Sequence, residues 1–172
     1  MTHGRKFAIF WPLGLVVFAI VVMVSLPLNI EDVPGGILDH QTAGNAAAVD
    51  AIHGAWKQAG VFGTASTAMI GDLIFIGLYG FGCYHDGRAI MERGQGMVRP
   101  IGIVVVAAAL VFTASDYGET ICQFMQVQND AGSDRLAGIA AFLQPVKSIC
   151  FMIASIGVIL GMLLTRFTCE RI

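Results

Sequence analysis

One segment of 22 residues without a charge, FAIFWPLGLVVFAIVVMVSLPL at 7–28, most constrains how this chain can fold. A helix that crosses a bilayer needs roughly 20 predominantly apolar residues, so the segment is long enough to span one. All its faces would be apolar, whereas a surface helix of a soluble protein keeps a polar face for water. It is also too long for the apolar region of a cleaved signal peptide, and no A-x-A-like cleavage site follows. We therefore expect a retained membrane anchor.

Three further segments are apolar and at least as long, and the last is much longer. They occupy residues 62–84, 101–125 and 136–166. Only 13% of the chain is charged, against about 25% in an ordinary soluble domain. The predicted fold class is therefore all-α, an integral membrane four-helix bundle that forms a single transmembrane domain over residues 1–172.

The distribution of lysine and arginine predicts the orientation of these spans. Seven of the ten basic residues lie in the N-terminal tail, in the 85–99 loop or at the C-terminal end. The other three are Lys57, Arg135 and Lys147. Because cytoplasmic loops carry the excess of Lys and Arg, both termini are expected to be cytoplasmic. The predicted location is the bacterial inner (cytoplasmic) membrane.

The connection between spans one and two, 29–61, is expected on the periplasmic side. Its first half is acidic and rich in glycine and proline, which predicts turns. NAAAVDAIHGAWKQAG, at 45–60, predicts a short amphipathic helix. Its apolar side is formed by Ala46, Val49, Ile52 and Trp56, and its polar side by Asp50, His53 and Lys57. Two arrangements stay open, a helix anchored at the membrane interface by Trp56 and a lid packed on the bundle.

Charged residues inside the spans are the candidate functional residues, because an ionised side chain in hydrocarbon is costly and is functional by default. Asp116 and Glu119 are three apart on span three and share a helix face. At 1.5 Å per residue, Asp72 on span two lies roughly 15 Å below the outer face and Asp116 roughly 13 Å. Lys147 reaches the same level if span four starts near residue 137, which is favoured, and extends to the outer surface if the span starts near residue 146. Asp116 is deeper and shorter than Glu119, so it is expected to be the more buried and the more consequential acid.

These considerations predict a buried acidic pocket. Its ligand-binding residues would be Asp72, Tyr79, Asp116, Glu119, Gln123 and Lys147. Two structural explanations stay open beside it. A buried ion pair can fix helix register, and protonated carboxyls can act as interhelical hydrogen-bonding groups.

Other classes of site have weaker support. Asp39, His40 and His53 do not amount to a metal site, which needs at least three convergent ligands, and a solvated or interfacial loop is favoured for them. No metal or cofactor is predicted, although a lipid or quinone-like ligand fits the acidic pocket. The net charge of -2 without a basic stripe argues against nucleic acid. Four cysteines without a C-x-x-C pair do not indicate a disulfide framework.

Four stretches carry a resemblance, in chain order DHQTAG, AVDAIHGAW, GDLIFIGLYGFG and DYGET. Together they resemble uncharacterised small four-helix inner-membrane proteins of alphaproteobacteria, over most of the chain. The resemblance implies a fold and a location but no activity. The four-helix emopamil-binding-protein-like isomerases also use acids within a bundle, but this sequence lacks their motif order, so they are an architectural analogy only.

The function predicted first is that of a non-catalytic multi-pass membrane protein. It would bind a lipid, a quinone-like or cationic small molecule, or a proton at the acidic pocket. One alternative is an accessory or structural subunit of a larger bioenergetic or transport complex, in contact with membrane lipids and other membrane subunits. The other is a lipid-modifying, isomerase-like enzyme, although no nucleophile motif or phosphate-binding loop favours catalysis.

Overall fold

The computed structural model describes residues 2–94, 96 and 98–169, and the side chains of those up to residue 164. This part of the chain is helical throughout apart from short connections, and it contains six α-helices. In chain order they are α1 (His3–Ser25), α2 (Ile37–Thr42), α3 (Ala46–Gln58), α4 (Phe62–Arg93), α5 (Val98–Asn129) and α6 (Asp134–Cys169), with a 3-10 turn at Leu26–Leu28.

Four of these helices are long and apolar enough to cross a membrane, which confirms that part of the sequence prediction. The segments are His3–Leu28, Phe62–Arg93, Val98–Asn129 and Asp134–Leu164. The predicted 85–99 loop is wrong in extent, because α4 continues to Arg93 and α5 begins at Val98. The charged residues at 85–93 belong to α4, which continues beyond its apolar run. Gly96, with φ +56, lies in the short turn between α4 and α5. The side chain of Arg166 and all of Arg171, which supported the orientation, lie outside the described residues.

The prediction of turns after the first span is correct for residues 29–36 but misses α2. The Asp39 carboxylate, in the first turn of α2, accepts the backbone N–H of Gly35 at 2.8 Å. This hydrogen bond connects the helix to the segment that precedes it. Gly36 has φ +56, a backbone conformation that glycine adopts without steric cost. A helix this short is only marginally stable by itself. The Gly/Pro-rich composition of the segment therefore predicted turns and not a helix.

The helix predicted over 45–60 is present as α3, but its buried face differs from the prediction. Asn45 caps it by accepting the backbone N–H of Ala48 at 2.9 Å. The buried residues are Val49, His53 and Trp56, so His53 lies on the packed face and not on the polar one. Trp56 is fully buried, which favours a lid packed on the protein over a tryptophan anchored in lipid.

The chain divides into two compact units. The first unit comprises residues 1–15, 76–114 and 146–172, and the second comprises 16–75 and 115–145. The long helices contribute residues to both units. In the first unit, glycines let helices approach closely. A Cβ on Gly14 would lie 2.9 Å from the Tyr79 backbone nitrogen, and one on Gly82 would lie 2.7 Å from that of Trp11.

The second unit has a hydrophobic core that joins α3 to the helices around it. Its buried members are Leu28, Val33, Trp56, Ala65, Met69 and Val127. The Trp56 indole N–H donates to the carbonyl oxygen of Leu28 at 2.9 Å. This hydrogen bond satisfies the one polar group that the tryptophan brings into an apolar core. Asp50 accepts the backbone N–H of Gly132 at 2.6 Å, so α3 is also fixed to the α5–α6 connection.

Candidate functional site

A buried stripe of polar side chains runs along the C-terminal half of α5 in the second unit. Its members recur at spacings of three and four, which places them on one side of the helix. They are Asp116, Glu119, Thr120, Gln123 and Gln126, and all are buried. Because the same helix is apolar enough to cross a membrane, these groups form a polar interior within an otherwise apolar span.

Asp72 of α4 is bound to this stripe. The Thr120 hydroxyl donates to Asp72 Oδ2 at 2.9 Å. One turn earlier, the Tyr117 hydroxyl donates to the backbone carbonyl of Leu73 at 3.1 Å. Two hydroxyls of α5 therefore hold the Asp72 turn of α4 beside the turns that carry Asp116 and Glu119.

The two acids of α5 are buried to a similar extent. Asp116 is 2% exposed and Glu119 is 0% exposed, so the prediction that Asp116 would be the more buried is wrong. Depth along the helix axis does not determine burial, because the elements packed on the face that the two acids share cover both of them. The Gln123 amide donates to Glu119 Oε1 at 3.0 Å, one helical turn away. Whether Asp116 is the more consequential acid stays a prediction.

Tyr79 and Lys147, the other two predicted site residues, belong to the first unit. Tyr79 is fully buried, and its hydroxyl lies 2.6 Å from the Ser155 hydroxyl of α6. Its ring packs against Phe112 and Phe151 with centroids 5.3 and 4.9 Å away. Lys147 is half-buried. The second unit therefore contains Asp72, Asp116, Glu119 and Gln123, and the pairing of Lys147 with an acid stays a prediction.

A second polar feature of the second unit is a pair of buried histidines. His40 of α2 and His53 of α3 are each 1% exposed and lie on helices, so the solvated or interfacial loop expected for them is wrong. Their Nε2 atoms lie 3.0 Å apart, and their rings stack with centroids 5.1 Å apart and an interplanar angle of 13°. This distance is that of a hydrogen bond, so one imidazole carries its proton on Nε2 and donates to the other. The Trp56 ring stacks on His40 with centroids 5.5 Å apart.

Burial keeps these imidazoles neutral. Desolvation lowers the pKa of His40 to about 3, followed by the repulsion that its protonated form would meet from a protonated His53. Desolvation also lowers the pKa of His53, with Lys57 acting in the same direction and Asp130 and Asp50 opposing it. His53 Nδ1 lies 3.9 Å from Asp130 Oδ1, and Lys57 forms an ion pair with the same carboxylate.

Sequence reasoning missed this pair, although a signal was present. Val49, His53 and Trp56 are spaced by four and three, the spacing of a buried helix face, but residue type alone assigns His53 to the polar side. Asp39, beside His40, binds the Gly35 backbone. Within the described residues, no group of three or more His, Cys, Asp or Glu is placed to hold a metal ion.

Comparison of the chain with protein-family models, with curated proteins and with solved structures finds no match. Any functional conclusion therefore depends on the residues and geometry described above.

Proposed function

We propose that this chain is a non-catalytic multi-pass membrane protein that binds a small organic cation at the buried carboxylates of its second unit, and binds protons there when the cation is absent. The observation that carries the proposal is the position of Asp116 and Glu119. Both acids are buried on one face of a helix apolar enough to cross a membrane, and Asp72 is tied to the same region through Thr120.

Charge compensation is the physical basis of the proposal. A buried carboxylate without a compensating positive charge takes up a proton, because an isolated charge in a low-dielectric environment costs too much. Three carboxylates in one unit carry more negative charge than a single basic partner could balance, so they favour either protons or a cation. A cation that enters would displace protons, so binding should weaken as the pH falls.

Donors and acceptors at the site favour a cation over a neutral quinone. The hydroxyl of Thr120 and the amide of Gln123 already donate to carboxylate oxygens. A quinone carbonyl would need such donors for itself, whereas a cation needs the acceptors. The test described below also measures binding of lipid and quinone-like ligands.

The test uses the purified full chain in detergent micelles and tetraphenylphosphonium, a lipophilic cation, as the probe. Equilibrium binding is measured at pH 8 and pH 5, together with the protons released at pH 8. We expect binding that is weaker at pH 5 and is accompanied by proton release. Glu119→Gln and Asp116→Asn should each weaken it at least about tenfold, because each removes a buried charge.

Glu31→Gln is the matched control, because Glu31 is an exposed carboxylate of the same unit. It should leave tetraphenylphosphonium binding unchanged. Binding that is equal at the two pH values, or equally weakened by all three variants, would contradict the proposal. The same assay with ubiquinone-1 and with phospholipid tests the other ligand classes, and preferential binding of a neutral quinone would replace the cation in the assignment.

A second candidate function, an accessory subunit of a larger membrane complex, is favoured by the exposure of α1. Gly14 is the only buried residue among those described in α1. Lipid or a partner helix must cover this surface in a membrane. Gentle solubilisation followed by affinity purification distinguishes the two. A stable partner would favour the subunit, and a monodisperse monomer would favour a surface covered by lipid.

Location in the bacterial inner membrane with both termini cytoplasmic is also part of the proposal, and it is supported by the distribution of basic residues. Single cysteines introduced as Glu92→Cys and Gln58→Cys in a cysteine-free background provide the test, since both positions are exposed. A membrane-impermeant maleimide added to intact spheroplasts should label position 58 and not position 92. Labelling of position 92 would show that the topology is the reverse of the one proposed.

A further inference from the structure

A cleft in the first unit is lined by Asp86, a largely buried acid with one carboxylate oxygen that no described residue satisfies. The cleft has a volume of about 200 Å³ and is lined by Gly4, Phe7, Asp86, Ala89, Ile90, Arg93 and Met162. Asp86 is 5% exposed, and its Oδ2 has no hydrogen-bond partner among the described residues. Leaving a buried acceptor unsatisfied is costly, and more so if it is charged. A positively charged ligand group at this carboxylate would reduce the cost.

Arg93 supplies the opposite charge at the same cleft. It lies seven residues after Asp86 on α4, two helical turns along the same face. Long side chains on a helix lean toward its N-terminus, which directs the Arg93 guanidinium back toward the turn of Asp86. Gly4 of α1 gives it room, since a Cβ there would lie 3.0 Å from Arg93 Nη2. The cleft thus has a buried acid within it and an exposed base in its lining.

The remaining lining is apolar and lies at the ends of candidate spans. Phe7, Ile90 and Met162 come from the beginning of α1, the last turn of α4 and the C-terminal part of α6. These are the positions at which spanning helices reach the level of lipid headgroups. A volume of about 200 Å³ is below the range of about 300–1,000 Å³ typical of drug-sized ligands, so the cleft suits a headgroup and not a whole lipid or a quinone.

We propose that this cleft binds the ammonium–phosphate zwitterion of an ethanolamine phospholipid headgroup. The primary ammonium group donates to the Asp86 carboxylate, and the phosphate accepts from the Arg93 guanidinium, whose planar donors match phosphate oxygens. Phe7, Ile90 and Met162 contact the glycerol and the first methylenes of the acyl chains. The inference depends on the chain being in a membrane, but not on cation binding at the carboxylates of the second unit.

Lipid selectivity tests the assignment. The full chain in detergent is titrated with dioleoylphosphatidylethanolamine, dioleoylphosphatidylcholine and dioleoylphosphatidylglycerol, and bound lipid is counted by native mass spectrometry. We expect the ethanolamine lipid to bind at least about tenfold more tightly than the other two. The choline headgroup has no N–H to donate, and the glycerol headgroup has no positive charge for Asp86. Soluble glycerophosphoethanolamine should compete only at much higher concentration, which distinguishes a lipid ligand from a free headgroup.

Two variants connect this selectivity to the cleft. Asp86→Asn and Arg93→Gln should each remove the preference for the ethanolamine lipid, whereas Glu92→Gln, an exposed carboxylate next to Arg93, should retain it. Arg93 is exposed, so its variant remains informative if Asp86→Asn fails to fold. Equal binding of the three lipids, preference for the anionic lipid, or a preference that survives both cleft variants would overturn the proposal. Tetraphenylphosphonium binding should not change in Asp86→Asn, so failure at the cleft is distinct from failure at the second unit.

Discussion

Acidification should destabilise the second unit through His40. The pKa of His40 is lowered from 6.5 to about 3 in the folded chain, because the ring is buried and faces His53. As the pH falls, His40 is therefore protonated in the unfolded chain before it is protonated in the folded chain. The free energy of unfolding consequently decreases from about pH 6.5 toward pH 3. Between pH 7 and pH 5, protonation of His40 in the unfolded state lowers the free energy of unfolding by about 2 kcal/mol, since one pKa unit corresponds to about 1.4 kcal/mol.

The matched variant for this prediction is His40→Phe. It retains an aromatic ring that can stack on Trp56 but cannot be protonated. It also removes the Nε2 partner of His53, so a lower stability at pH 7 is expected, by about 1–3 kcal/mol for an unsatisfied buried group. The diagnostic quantity is the change with pH. The variant should lose about 2 kcal/mol less than the parent chain between pH 7 and pH 5.

Denaturant-induced unfolding in detergent micelles measures both the stability at pH 7 and its change with pH. The chain has two tryptophans, so a Trp11→Phe background leaves Trp56, beside the histidine pair, as the only tryptophan reporter. The free energy of unfolding is compared at pH 7, 6 and 5 with and without His40→Phe. An identical pH dependence in the two proteins would refute the argument, because it would mean that His40 keeps an ordinary pKa in the folded state.

Two further predictions concern packing and the buried polar stripe. Gly14→Ala should destabilise the chain by about 1–3 kcal/mol, because its Cβ would lie 2.9 Å from the Tyr79 backbone nitrogen. Gly54→Ala, with no atom within 4 Å in the middle of α3, should instead stabilise it by about 0.5–1 kcal/mol. Thermal denaturation of the two variants checks this, and equal effects would show that the close approach at Gly14 is absent. Glu119→Leu should cost at least about 1–3 kcal/mol by removing the acceptor of the Gln123 amide, and the double variant with Gln123→Leu should recover part of that loss. A double variant whose loss equals the sum of the single losses would show that the two residues are not coupled.

The presence of four long apolar helices could be predicted from the chain itself, although not where each helix begins and ends. Runs such as 7–28 have no polar face, and hydrophobicity and length are local properties that need no knowledge of neighbours. The cap at Asn45 and the helix that follows it are local for the same reason, because the side chain of Asn45 bonds a backbone group three residues away. The acids at positions 116 and 119 share a face by helix geometry alone.

Other features of the candidate site could not be obtained this way. The hydrogen bond from Thr120 to Asp72 joins residues 48 positions apart, and the burial of Glu119 depends on which elements cover its face. Depth along a helix axis measures one coordinate, whereas burial depends on which elements cover the helix face. This is why depth alone does not predict that Glu119 and Asp116 are buried to a similar extent.

The sequence by itself determined that the chain forms long apolar helices with acids inside two of them, because the periodicity and composition of a segment act over a few residues. Only the tertiary structure decided that His40 and His53 form a buried pair stacked on Trp56, and that Asp86 lies in a cleft with Arg93. The physical reason is that an imidazole or a carboxylate is compatible with both water and protein. The contacts made by other helices, and not the residue type, decide which of the two surrounds it.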